Sequence, residues 1–251
     1  MTDLVTDLLD EVIVGPQFRG PPNSGNGGYV CGLLASRLLN PTVTAVLRAP
    51  IAIDTPLRIR IEQGVAKLTS PTGDLIAEAR ATYGADLPIP PTPPTLAAAA
   101  LAGQHFVGLT RTFHPVCFTC ATDLEDGHGL RVFVGQLVGE ADGVVAGTWT
   151  PHVNFANPDG LASHEAVWGA LDCPGSVAWV TQGGGAGLLG TMTCEILRRP
   201  MAGEPCIVMA WPLEQSGRKS VAGTALFSAG GELMARSRQV WIGRVAAPEA
   251  R

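Results

Sequence analysis

Asp172 stands in SHEAVWGALDCPG, positions 163–175, as a carboxylate between Leu171 and a Cys-Pro-Gly run that reads as a helix stop. From the residues alone, an acid near a helix end caps the following loop or pairs with an arginine. Cys117 and Cys120 form a Cys-x-x-Cys pair, the spacing of half a zinc site. A structural zinc site takes four ligands, and the nearest extra donors, His114 and His128, do not supply a second pair, so no metal is expected. As a redox dithiol the same pair would need a thioredoxin-like strand and helix context, which its strand-rich surroundings lack.

Other reactive types give less. His152 and His164 lie near a helix start, where a lone histidine reads as a hydrogen-bonded structural residue. GGGAGLLG, 183–190, is glycine-rich but has no Lys-Ser or Lys-Thr pair and reads as a flexible loop before a strand. No P-loop, dinucleotide fingerprint or G-x-S-x-G elbow stands in a fitting context.

The elements that must hold these residues follow from composition and periodicity. The chain has 251 residues, 46% of them hydrophobic and only 16% charged, so a packed core in one large or two modest domains is expected. With 31 Gly and 20 Pro, many short strands and turns fit better than a few long helices. A net charge of −5 without a basic block argues against duplex nucleic acid as a partner. The longest apolar tract, around Leu96 to Leu101, is too short to span a bilayer, and the acidic MTDLVTDLLDEV start is unlike a signal peptide. A cytoplasmic protein with six cysteines, most of them reduced, buried and inert, is the expectation.

DLPIPPTPPTLAAAALAG, 86–103, divides the chain in two. The expected organisation is 1–85, a linker over 86–109 that can end in a short helix, and 110–251. Across the linker the halves repeat. VLRAPIAIDTPL (46–57) aligns without a gap on ILRRPMAGEPCI (196–207), and SPTGDLIAEAR (70–80) matches SAGGELMARSR (228–238) in the same order. This is the signature of a duplicated domain.

Each half carries one helix candidate. GGYVCGLLASRLL follows the possible caps Asn23, Ser24 and Asn26 and ends by Pro41; the second is capped by Ser163, has Glu165 in its first turn and stops at Pro174 and Gly175. Strands are expected over 129–139, 144–151, 191–199, 206–213, 220–228 and 232–243.

These residues carry a resemblance. HPVCFTCATDLEDGHGLRVFV (114–134) resembles a cysteine-containing segment and Gly-Leu strand found in the hotdog thioesterase superfamily. NPDGLASHEAVWGALD (157–172) and NGGYVCGLLAS (26–36) are similar to that superfamily's helix motif, in which a His-Gly-Gly start leads a helix carrying an Asp. The resemblance implies an α+β double hotdog, two sheets each wrapped around a helix, fused in one chain.

It also implies an acyl-CoA thioesterase with one composite site, coenzyme A entering only as part of the substrate. Gly27 and Gly28, with Asn26 in the place of His, supply the oxyanion contact from one helix start, and Asp172 of the other half activates water or attacks directly. In the mirror-related site His164 and Glu165 face Ala35, and no activity is expected there. A second resemblance, to the acyl-CoA thioesterase II family, gives Gln239 a water-positioning role, with Ser216 as a stand-in hydroxyl. Arg198, Arg199, Arg218 and Lys219, at strand ends and turns, are candidates for the phosphates of coenzyme A. A homo-oligomer of double hotdogs is allowed, and a non-catalytic acyl-CoA or fatty-acyl binder is the alternative.

Overall fold

The computed structural model describes residues 9–110, 114–184 and 187–243. In the first half, β1 (Leu9–Ile13) is followed by α1 (Gly27–Ala35), then β2 (Thr42–Leu47), β3 (Pro56–Glu62), β4 (Val65–Thr69) and β5 (Leu75–Ala81). The segment between the halves forms α2 (Leu96–Gly103), and the second half contains β6 (Phe133–Gln136), β7 (Val145–Trp149), α3 (His164–Val180), β8 (Leu188–Ile196), β9 (Cys206–Ser216), β10 (Lys219–Ser228) and β11 (Leu233–Ile242).

The sequence repeat becomes a symmetry of the sheet. Its order, β1-β3-β4-β5-β2-β8-β11-β10-β9-β7-β6, reads outward from the β2–β8 seam as the same succession twice, with β6 added at one end. Two sheets side by side are the expectation; the structure has one 11-stranded antiparallel sheet, because the edges of β2 and β8 pair from Thr42 with Glu195 to Val46 with Thr191. Pairing the two edges satisfies backbone groups that each half alone would leave open. Hydroxyls reinforce the seam, with Thr44 Oγ1 2.9 Å from Thr193 Oγ1.

The helices lie side by side on one face of this sheet. Asn26 caps α1, its Oδ1 accepting from the Tyr29 N–H, and Ser163 caps α3 through the Ala166 N–H at 3.1 Å. Both helices depart from their expected ends. α1 spans nine residues and ends at Ala35, well before Pro41. α3 spans 17 residues and runs through Pro174 to Val180. Proline at position 174 has no N–H for the Ala170 carbonyl, a local cost. The residues beyond it, Gly175 to Ala178, are nonetheless buried against the sheet, and tertiary burial outweighs the local stop signal.

α2 packs on the opposite face, where Ala99 and Ala102 meet Ala146, Ile207, Met209 and Phe227. β9 is therefore covered on both sides, Cys206, Val208 and Ala210 facing the α1 and α3 core and Ile207, Met209 and Trp211 facing α2. Among the described residues no helix is long and apolar enough to cross a membrane.

Candidate active site

The site is set by how closely α1 and α3 cross. At Gly28 a Cβ would sit 2.6 Å from Asp172 Cβ and 2.7 Å from the Trp168 carbonyl oxygen, so only glycine fits the crossing. The approach brings the Gly28 N–H to Asp172 Oδ2 at 3.1 Å. The start of the first-half helix and the acid of the second half thus meet directly.

Asn26 ties a third segment to this junction. Its Nδ2 donates to Thr119 Oγ1 at 3.2 Å and approaches Cys117 Sγ at 3.7 Å, while the Thr119 hydroxyl donates to the Gly169 carbonyl at 2.8 Å. Asn26 is therefore both the expected N-cap and a clamp between α1, α3 and the 114–121 segment.

Asp172 is 3% exposed, and its Oδ1 is buried without a hydrogen-bond partner. Burial raises its pKa to about 7, the nearby Cys117 adds to the rise, and the Gly28 N–H and the Asn26 amide oppose it. A carboxyl with that pKa exchanges protons at neutral pH, which is what a general base or acid requires.

A cavity of about 450 Å³ opens onto this carboxyl. Asn26, Gly27, Cys117, Asp172 and Cys173 line its base, and Leu47, Ile51, Leu189 and Trp241 form apolar walls. Its size and its mix of apolar wall and few polar groups are those of a small-molecule site. The amide inventory at the start of α1 alters the expected oxyanion contact. Asn26 N–H is bonded to the Phe18 carbonyl, Gly28 N–H to Asp172, Tyr29 N–H to Asn26 Oδ1 and Val30 N–H to the Asn26 carbonyl. Gly27 N–H remains as the first-turn donor on the cavity, whereas Gly28 holds the carboxylate instead of facing a ligand.

The other expected site residues are distributed as follows. Gln239 is fully buried and does not line the cavity. Its Nε2 donates to the Leu171 carbonyl at 2.6 Å and its Oε1 accepts from Trp241 Nε1 at 2.9 Å, so it holds the Trp241 wall from behind. Arg218 lines the cavity from the exposed β9–β10 turn, with Lys219 next to it. Arg198 and Arg199 do not reach this cavity. Arg198 is bound by both oxygens of Glu204, at 2.9 and 3.0 Å, and Arg199 by Asp159 at 2.9 Å.

Those two arginines line a separate cavity of about 280 Å³ together with Ala35 and His164. It is the symmetry mate of the first, with Ala35 in the place of Asp172. Its nearby acid, Glu165, accepts from Ser36 Oγ at 3.3 Å and lies 3.9 Å from Arg37. Burial and the nearby Arg199 lower the His164 pKa, so this cavity offers neither a free carboxylate nor an imidazolium at neutral pH.

Among the residues not anticipated from sequence, Arg48, Trp241 and Cys173 line the first cavity and Thr119 stands behind Asn26. Arg48 pairs with Glu78; its alignment with Arg198 in the repeat is the signal that could have found it. Thr119 and Trp241 gave no signal that distinguishes them from core residues. Cys173 comes from α3 to join Cys117 and Cys120, the three sulfurs lying within 4.8 Å of one another. Cys117 Sγ lies 3.4 Å from Cys173 Sγ, and contacts among the three cysteines hold the Cys117 thiol below its usual range while they push those of Cys120 and Cys173 up.

No protein-family model matches this chain, and no curated protein matches its sequence. Solved structures do match in fold. A conserved protein of unknown function with a hot dog fold from Alicyclobacillus acidocaldarius superposes with a TM-score of 0.62 at 13% identity, covering 100% of this chain and 96% of the other. The tesB protein of Mycobacterium avium subs paratuberculosis gives 0.58 at 16%, covering 93% and 92%. A provisionally assigned thioesterase from Novosphingobium aromaticivorans gives 0.64 at 13%, covering 94% and 96%. The chain has the α+β double hotdog fold over essentially its whole length.

Proposed function

We propose that the Asp172 cavity hydrolyses the thioester of an acyl-CoA, as one composite site per chain. The observation that carries this reading is the meeting of the Asp172 carboxyl, from the second half, with the start of α1, from the first, at the base of an apolar cavity. Whole-chain neighbours that include a provisionally assigned thioesterase agree with it.

In this reading the acyl group lies against Leu47, Leu189 and Trp241, and the thioester carbonyl oxygen approaches the Gly27 N–H at the positive end of the helix. Asp172, ionised, takes a proton from water as the water oxygen attacks the carbonyl carbon. The tetrahedral intermediate collapses with cleavage of the C–S bond, and the departing thiolate takes the proton back from Asp172. One water and one thioester become one acid and one thiol. Arg218, with Arg48, meets the phosphates at the mouth. The substrate is drawn from the cytoplasmic acyl-CoA pool.

The test is thiol release from a panel of acyl-CoA esters by the full chain and by Asp172→Asn. No turnover of any member by wild-type protein sinks the reading. A specific observation favours a second one, a non-catalytic acyl-CoA binder: the Gly28 N–H is spent on Asp172 itself, leaving a single helix-start amide for an oxyanion. Saturable acyl-CoA binding without turnover, unchanged in Asp172→Asn, would establish that alternative.

A further inference from the structure

We propose that Cys117, Cys120 and Cys173 bind a thiophilic divalent cation, zinc in the first instance, at the base of the cavity. This inference does not rest on the thioesterase reading. The sequence offers two sulfurs at Cys-x-x-Cys spacing; the fold adds the third, from a helix, and places all three within 4.8 Å of one another. That is the neighbourhood three thiolates occupy around one tetrahedral ion.

The local geometry is prepared for it. Residues 114–121 form no regular element, yet the Cys117 N–H donates to the His114 carbonyl at 3.1 Å and the Ala121 N–H to the Cys117 carbonyl at 2.9 Å. This tight turn presents Cys117 and Cys120 toward α3, where Cys173 is held on a rigid helix. Cys117 Sγ has a further N–H donor in Asn26 Nδ2, at 3.7 Å. Such a donor suits a metal-bound thiolate better than a neutral thiol, which is a weak acceptor.

A second observation points to a ligand at the same place. Asp172, adjacent to Cys173, carries the buried oxygen Oδ1 with no hydrogen-bond partner of normal geometry, the nearby Asn26 amide being engaged with Thr119 Oγ1. Such an orphaned oxygen is costly unless something polar or cationic meets it. Cys117, Cys173 and Asp172 all line the cavity, so the cluster is reachable from it. Binding exchanges protons for metal: each ligating Cys S–H releases its proton as its sulfur–zinc bond forms, and a cysteine already ionised binds without release, with no change of oxidation state. The ion then pins the irregular 114–121 segment to α3 beside Asp172.

The experiment uses the full chain. Zinc is measured by mass spectrometry after desalting, and chelator-treated protein is refilled with Co²⁺ to read thiolate charge-transfer and tetrahedral d–d bands. The expected result is about one equivalent per chain, with the bands lost and zinc below about a tenth of an equivalent in Cys120→Ser and Cys173→Ser. Cys194→Ser, equally buried but on β8, keeps both. Should the cluster variants fail to fold, the wild-type cobalt spectrum decides alone. Metal-free protein with no cobalt bands overturns the proposal, as does a Cys117–Cys173 disulfide, or zinc retained in folded cluster variants. Metal content is read independently of hydrolysis, so an inactive chain that binds zinc, or an active one that does not, separates this proposal from the preceding one.

Discussion

The Gly28 N–H donates to Asp172 Oδ2 at 3.1 Å although the two residues are 144 positions apart, one at the start of α1 and the other inside α3. The contact joins the two repeats at a point where they differ in chemistry, since the position equivalent to Asp172 in the first half is Ala35. One cavity of the symmetric pair therefore has an acid against a helix start, and the other does not.

If Asp172 is the base, Asp172→Asn retains the shape and lowers kcat for acyl-CoA hydrolysis by about 10²-fold or more, with KM changed far less. Steady-state kinetics on a hydrolysed acyl-CoA checks this. Equal kcat in the variant would remove Asp172 from the chemistry.

The raised pKa of Asp172 sets a pH dependence, best read on chelator-treated protein. Its folded value is about 7, against about 4 for an unfolded aspartate. The folded state thus holds the proton more tightly, and this contribution to stability is complete below about pH 4 and is lost as pH rises through about 7. Across that window, denaturant titrations should show wild-type protein losing stability relative to Asp172→Asn by about 1 kcal/mol per pH unit. Hydrolysis runs the other way, rising with pH through about 7 as the base ionises. A flat difference between the two proteins from pH 4 to 8 contradicts the assignment.

Gly28→Ala and Gly27→Ala should differ in kind. The first drives a methyl into Asp172 and the Trp168 carbonyl, both fixed on α3, and is expected to cost about 1–3 kcal/mol of stability and most of the activity. The second meets Leu47 Cδ1 at 2.9 Å and Leu189, side chains that can shift. It should fold with near-native stability and act mainly by raising KM. Thermal melts and kinetics of both variants separate the two effects.

Arg218→Ala should raise KM for an acyl-CoA about two- to fivefold, with the difference shrinking at high salt, and leave a short thioester lacking phosphates unaffected. Arg198→Ala, in the other cavity and already paired with Glu204, should leave KM for both substrates unchanged. The reverse pattern would place the phosphates at the second cavity.

What the sequence by itself determined was whatever depends on near neighbours. The repeat showed which strands are equivalent and that one half carries an acid where the other has Ala35. The caps Asn26 and Ser163 were readable because capping acts over a few residues. Tertiary structure decided the rest. Pro174 is a stop signal locally, but burial of Gly175 to Ala178 carries α3 past it. Gly28 looked like a free helix start until Trp168 and Asp172 were seen to occupy its Cβ space. Arg198 and Arg218 are alike as strand-end cations, yet only Arg218 lines the Asp172 cavity. Cys173 joins a Cys-x-x-Cys pair more than fifty residues earlier, as its 3.4 Å approach to Cys117 across 56 positions records. Each of these turns on which surfaces meet when α1, α3 and the 114–121 segment pack together. Propensity and periodicity carry no information about such meetings, because the energies that decide them come from burial and contact between distant parts of the chain.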